Sequence, residues 1–248
     1  MGMMRLCPIK YGVKSGAGTA DPYANYVVFL LHFEGANGSQ IYTDETGKYW
    51  TGSPAEYIAT DQSKFGTGSL FLDGGISNRT FISTGDAYFA ASPIGTQDFC
   101  LETFAWVDPT YTTVSNRAIM GFDSAIYKFQ IVHDKDHGGA NGKFAGCIGS
   151  GVKEIFALST PTLAQWYHLA LVRDGNTLRF FIDGVQQGTS DVTGVSLASE
   201  SACYIGSLEN LIANYNPFLG RLDEARLTVG VPRYTSDFTP PTEAFIYP

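Results

Sequence analysis

Residues 166–184 read Trp-Tyr-His-Leu-Ala-Leu-Val-Arg-Asp-Gly-Asn-Thr-Leu-Arg-Phe-Phe-Ile-Asp-Gly. Two runs rich in aliphatic and aromatic residues, 165–173 and 177–183, are separated by Asp174-Gly175-Asn176, and the second is closed by Asp183-Gly184. Primed hairpin turns need the positive φ that Gly and Asn tolerate, so residues 165–188 read as a β-meander. Period two puts Leu178, Phe180 and Ile182 inward and leaves Arg179, Phe181 and Asp183 outward. An outward Phe181 between charges is expected to meet a partner.

Working outward, similar short runs occur at 26–34, 69–73, 99–107, 117–122, 126–133, 143–148, 202–207 and 218–228, so ten strands is a minimum. No window of helical length keeps an apolar stripe without a Gly or Pro interrupting it. Only 16% of the 248 residues are charged, while 28 are Gly and 14% are aromatic, a bias toward turns and strands. These features predict an all-β chain, a two-sheet antiparallel jelly-roll sandwich spanning 26–230, between an N-terminal arm (1–25) and an extended C-terminal strap (231–248).

Charge excludes some functions. Lys and Arg number 16 against 24 Asp and Glu, a net charge of −8, the wrong sign for a nucleic-acid partner. The longest apolar stretch, 26–33, is too short to insert in a membrane as a helix. The N-terminal stretch shows no secretory or lipidation signal. Cys7, Cys100, Cys147 and Cys203 are too widely spaced for a zinc ribbon or a dithiol site.

The segment 166–184 also resembles the central signature of the laminin G-like branch of the concanavalin A-like lectin/glucanase superfamily. Leu31-His32-Phe33-Glu34-Gly35 resembles its opening strand, and Phe65-Gly66-Thr67-Gly68-Ser69-Leu70 the second. Asp98-Phe99-Cys100-Leu101-Glu102 resembles the third, and Gly220-Arg221-Leu222-Asp223-Glu224-Ala225-Arg226 the closing one. The resemblance implies a jelly roll of roughly 12 to 14 strands. It also implies a structural Ca2+ site where the first and last strands meet, built from the Asp223 carboxylate with backbone carbonyls of Glu34 and Gly68.

At the two ends, Asp21-Pro22-Tyr23 and the stretch from Val231-Pro232-Arg233-Tyr234 through Phe238-Thr239-Pro240-Pro241 look like lectin-like modules of tailed-bacteriophage structural proteins. That similarity implies a non-catalytic virion protein, a capsid decoration or tail component made in the host cytoplasm. It would contact other virion proteins or a second copy through the arm, with its Arg5, Lys10 and Lys14, and through the strap, unless the strap crosses the chain's own sandwich instead. The alternative is a carbohydrate-binding or adhesin module for host-surface glycans; a glycoside hydrolase without the usual motif stands third.

None of the nine glutamates has an aspartate two positions later, so the E-x-D-x-x-E carboxylates of this superfamily's glucanases are missing; Glu102 is the nearest stand-in. No G-x-S-x-G, H-E-x-x-H or phosphate-binding loop occurs, and the chain is read as no enzyme. Candidates for stacking on sugar are Trp50, Tyr49, Tyr127 and Tyr215, the last flanked by Asn214 and Asn216. His133-Asp134-Lys135-Asp136-His137 could hold a divalent metal or form a solvated hairpin loop. Wide cysteine spacing and the missing export signal predict four free thiols. Mass spectrometry under non-reducing conditions is expected to find them, and a mass deficit of two protons per bridge would contradict it.

Overall fold

A computed structural model describes residues 21–75, 81–84, 94–111, 117–122, 128–133, 142–149, 153–197, 202–207 and 216–247. Among them, the chain is almost entirely strand: β1 (Val27–Leu31), β2 (Trp50–Gly52), β3 (Tyr57–Ala59), β4 (Ser69–Asp73), β5 (Ile82–Thr84), β6 (Phe99–Val107), β7 (Arg117–Phe122) and β8 (Lys128–His133). There follow β9 (Phe144–Gly149), β10 (Lys153–Phe156), β11 (Trp166–Asp174), β12 (Thr177–Ile182), β13 (Val185–Asp191), β14 (Cys203–Ile205), β15 (Asn216–Pro217) and β16 (Leu219–Val229). One 3-10 turn, Ala24–Tyr26, precedes them. No described helix is long and apolar enough to cross a membrane.

The strands form two sheets. The first runs β13-β12-β11-β6-β16-β4-β3, with β1 also pairing β16; the second runs β10-β9-β8-β7-β14-β5-β2, with β15 parallel to β7. Strand β16 serves two neighbours along one edge. Residues 219–222 pair with β4 and 225–228 with β1, and the register breaks between Asp223 and Arg226, where Glu224 takes φ +53°. A bulge at that point re-aims Asp223 and Glu224 out of the ladder.

The main core lies between the sheets. Phe99, Leu101, Ala105 and Val107 of β6, Leu169 and Leu171 of β11, Leu178 and Phe180 of β12 and Leu222, Ala225 and Leu227 of β16 point into it, facing Ile119, Ile131, Phe144 and Ile148 of the second sheet. Alternation then sends Cys100, Glu102 and Phe104 of β6 to the outer face, where water would normally meet them. They are nonetheless buried.

What covers them is the chain's own C-terminal stretch. Tyr234 and Phe238 stack face to face, 3.6 Å between centroids, and pack over Cys100, Ala170, Val172 and Phe181. Farther along, Phe245 and Tyr247 close over Leu30 and Phe104. Phe181 does point away from the inter-sheet core, and its partner is this strap, which lies across the chain's own sandwich. The strap crosses the β12–β13 turn so closely that a Cβ on Gly184 would stand 1.9 Å from the Phe238 carbonyl oxygen, and Gly184 has φ +76°. The Phe238 N–H donates to the Gly184 carbonyl at 2.9 Å.

Residues 21–25, assigned above to the arm, belong to the body, because Asp21 docks beneath the strap. The rest of the arm lies outside the described residues. Two outcomes test the strap. Phe181→Ala is expected to cost about 3–5 kcal/mol in urea unfolding. Removing residues 231–248 should cost more, since it uncovers the polar groups of β6 and β16 as well; a strapless chain melting where the full chain does would show that the strap does not hold the sheet.

Candidate functional site

The residues expected to bind calcium gather around the β16 bulge, where the 60–68 loop meets it. Asp223 Oδ2 accepts the Lys64 and Phe65 N–H groups at 2.8 and 3.0 Å, and its Oδ1 accepts the Glu224 N–H at 2.9 Å. The Glu34 carboxylate reaches the same loop, taking the Thr67 N–H at 2.9 Å and the Thr67 hydroxyl. Gly68 sits where a Cβ would lie 2.5 Å from the Phe33 carbonyl oxygen, so the loop and the end of β1 approach too closely for a side chain. Burial pushes the Asp223 carboxyl up to about 8, against the pull of the Phe65 and Lys64 amides.

Calcium takes six to eight oxygen ligands. Here the Asp223 carboxylate, the one charged ligand of the expected shell, already accepts three N–H donors, two on Oδ2 and one on Oδ1. These bonds make a hydrogen-bonded clasp between the bulge and the loop. Among the described residues no group of three or more His, Cys, Asp or Glu is placed to hold a metal.

A second cluster lies under the strap, and it was not singled out from the sequence. Glu102, on the central strand β6, is fully buried; Arg226 of β16 lies opposite it in register and donates Nε to its Oε1 at 2.9 Å. His168 of β11 brings Nε2 to 3.1 Å from Glu102 Oε2, and the Tyr234 hydroxyl donates to the same oxygen at 2.9 Å. Asp21 bridges the two ends of the chain, accepting from Arg233 Nη1 and Nη2 at 3.0 and 2.7 Å and from Arg226 Nη1 at 3.4 Å. The Arg226 guanidinium also lies 3.7 Å from the centre of the Phe245 ring.

Burial opposes ionisation of Glu102, but Arg226, then His168 and Arg233, hold it well below the usual carboxylate range. Burial likewise opposes the Asp21 charge, and Arg233 with the Tyr23 amide outweighs it. Burial, then the Glu102 charge, pushes the Tyr234 phenol far up, so it remains a donor. Acids and bases here are matched and mutually neutralised.

The remaining candidates fare differently. Trp50 is 2% exposed, packed edge-on against Phe29 with its Nε1 donating to Asp44 at 2.9 Å, so it presents no ring to a sugar. Tyr49 beside it is 80% exposed. Asn214 and Tyr215 lie outside the described residues, as do Tyr127 and positions 134–137 of the His/Asp loop; the Asn216 backbone pairs with Arg117 in β15. His133 is buried against Tyr111 and Phe144.

The family model of the concanavalin A-like lectin/glucanases superfamily matches residues 81–230. The chain belongs to that superfamily. No curated protein matches the sequence. Among solved structures it is similar to domain 4 of an extracellular arabinanase from Geobacillus stearothermophilus, solved with arabinotriose, at 18% identity and TM-score 0.59, covering 82% of this chain and 92% of that one. It is similar to the binding domain of Paraclostridial Mosquitocidal Protein 1 at 13% identity and TM-score 0.60, and to that of botulinum neurotoxin serotype D at 10% and 0.58. These alignments cover 83% and 84% of this chain, which spans about half, 49%, of each toxin chain. At such identities the likeness establishes the sandwich and its strand order, not a ligand.

Within this lectin/glucanase frame, Glu102 on the middle strand of the first sheet is held by Arg226, His168 and Tyr234. Two outcomes follow. Since Glu102 and Asp21 are held below their ordinary values of 4.5 and 3.8, the stability they bring is complete above those values and lost as pH falls through the folded ones. Thermal melts are expected to fall below about pH 4.5, and to fall again as pH rises toward 8, because the raised Asp223 carboxyl favours its protonated form in the folded chain. Glu102→Gln should flatten that acid limb and cost about 3–5 kcal/mol at pH 7, because Arg226 is left buried without its counter-ion. At the clasp, Asp223→Ala is expected to cost at least about 2 kcal/mol, while chelator or added calcium leaves the wild-type melt in place; a calcium-dependent melt would reinstate the metal.

Proposed function

We propose that this chain is a non-catalytic, lectin-like recognition module that binds glycans on the surface its own strap leaves uncovered. The carrying observation is that every buried acid among the described residues is committed to a structural partner. Glu102 is held by Arg226, Glu224 by His32 and the Phe245 N–H, Asp223 by three amides, Asp44 by Trp50 and Thr46, and Glu56 by Ser53. Glycoside hydrolysis needs two carboxylates facing each other across a gap of roughly 5 to 9.5 Å, and acids tied to structural partners support the non-catalytic reading. Support for a sugar ligand comes from the arabinanase domain, which shares the sandwich over 92% of its own length and was captured with an oligosaccharide.

A finer reading, display on a bacteriophage particle, is favoured by one observation. The two stretches that carry the phage-type resemblance are packed together, Asp21 on Arg233 and Tyr23 beneath the Arg233 guanidinium at 5.3 Å, which brings both attachments of the body to one side. Retention of the full chain on immobilised oligosaccharides, without release of reducing ends, is the expected result. Turnover would remove the non-catalytic reading, and failure to bind would remove the glycan. Detection of the chain in purified particles tests display.

A further inference from the structure

Beside the strap, the outer face of the first sheet carries a row of side chains of which one end, Trp166, packs against the Leu30–Phe104–Phe245 cluster and the rest lies beyond it. Tyr57 of β3 lies opposite Phe71 of β4, Phe71 opposite Arg221 of β16, Arg221 opposite Trp106 of β6, and Trp106 opposite Trp166 of β11. Directly opposed residues share a face, so five strands line up four aromatic rings and one guanidinium. The four rings are part-exposed. Adjacent strands are about 4.8 Å apart, which makes the row about 19 Å long, the reach of a short oligosaccharide rather than of one sugar.

The contacts within the row bear on its purpose. Tyr57 and Phe71 touch, with ring centroids 5.0 Å apart. The Arg221 guanidinium lies 5.1 Å from the Phe71 ring and 5.9 Å from the Trp106 ring. Its Nη2 pairs with exposed Asp61 at 2.8 Å. The residue is only 9% exposed, yet its Nε and Nη1 hydrogens have no acceptor. Trp166 Nε1 is likewise without a partner. Those three donor atoms are enclosed, so the polar feature the row shows at the surface is the Arg221–Asp61 pair.

Aliphatic docking grooves for helices or strands do not look like this. Flat rings separated by planar donors suit a molecule that offers apolar C–H faces and oxygen acceptors in alternation, which is the chemistry of a pyranose or furanose chain. We propose that the row Tyr57–Phe71–Arg221–Trp106–Trp166 is a glycan platform: an oligosaccharide lies across the five strands, its sugar rings stacked on Trp106 and its neighbours, with its oxygens meeting the Arg221–Asp61 pair. This rests on the glycan-binding reading above and places its site on the outer face of the first sheet.

The test uses the full chain on an array of immobilised oligosaccharides that includes arabinotriose, other neutral chains and uronic-acid-bearing chains. Trp106→Ala is expected to bind about tenfold more weakly with an unchanged melt. Arg221→Lys, which keeps the charge and loses the planar donors, should also weaken binding, most on the acidic chains. Should Trp106→Ala melt early, quenching of the wild-type indoles decides: Trp50 is buried in the core, so protection from acrylamide by bound sugar reports on Trp106 and Trp166, and no protection under saturation overturns the platform. Wild type and both variants binding with equal affinity would refute the platform and leave the glycan reading standing. Retention of wild type by no sugar would refute both.

Discussion

A carboxylate sits at the middle of the central strand, out of reach of water, and the first sheet is arranged around that fact. An isolated ion there would be prohibitive, and the pair alone seldom recovers the cost of desolvation. Glu102 therefore draws in Arg226 from one neighbouring strand, His168 from the other and Tyr234 from above. Arg226 in turn shares Asp21, and Asp21 holds Arg233. The strap is kept in place by these directional contacts as much as by the rings of Tyr234, Phe238 and Phe245, which explains how a segment without regular secondary structure lies in one defined position. Apolar packing supplies the cover; the ion network supplies the register.

The two outer regions of this sheet thus have opposite characters. Under the strap, charges are paired and donors are used. At the β3-β4-β16-β6 side, rings are part-exposed and Arg221 pairs with the exposed Asp61. Strand β16 links the regions, since its bulge directs Asp223 to the 60–68 loop and Glu224 to His32 and the strap. One irregular step in the longest strand fixes both the loop beside the ring row and the end of the cover.

Much of the sandwich was legible because its central strands are long and strongly patterned: β4, β6 and β7 have the limits their apolar runs predict, and the Asp-Gly turns locate β11 and β12. The three-residue strands β2, β3 and β5 escaped, since so short a run carries no period. Polar β13, Val-Gln-Gln-Gly-Thr-Ser-Asp, is held by its neighbour rather than by its own pattern. The strap network had a signal that went unused: Phe99–Val107 is apolar on both faces with one Glu inside, the mark of a strand buried on both sides. Trp50 misled because a three-residue strand does not reveal which way its tryptophan turns. Nothing in the order of residues could align Tyr57, Phe71, Trp106, Trp166 and Arg221, which are neighbours only through register.

The clasp of Asp21 on Arg233 has an architectural consequence. The chain enters the sandwich at Asp21, held to Arg233 by two hydrogen bonds of 3.0 and 2.7 Å, and the far end of the strap returns to the same place with Phe245 on the Arg226 guanidinium, so the flanks of the body lie together. Such a unit can be spliced into a surface turn of a host protein, or strung in tandem, without stretching either flank. It could also be reopened elsewhere, with new ends cut at an exposed hairpin tip such as Asp174-Gly175-Asn176 and the old ones fused, and keep its sheet order. Evolution could therefore move this module between unrelated carriers as a self-contained cassette.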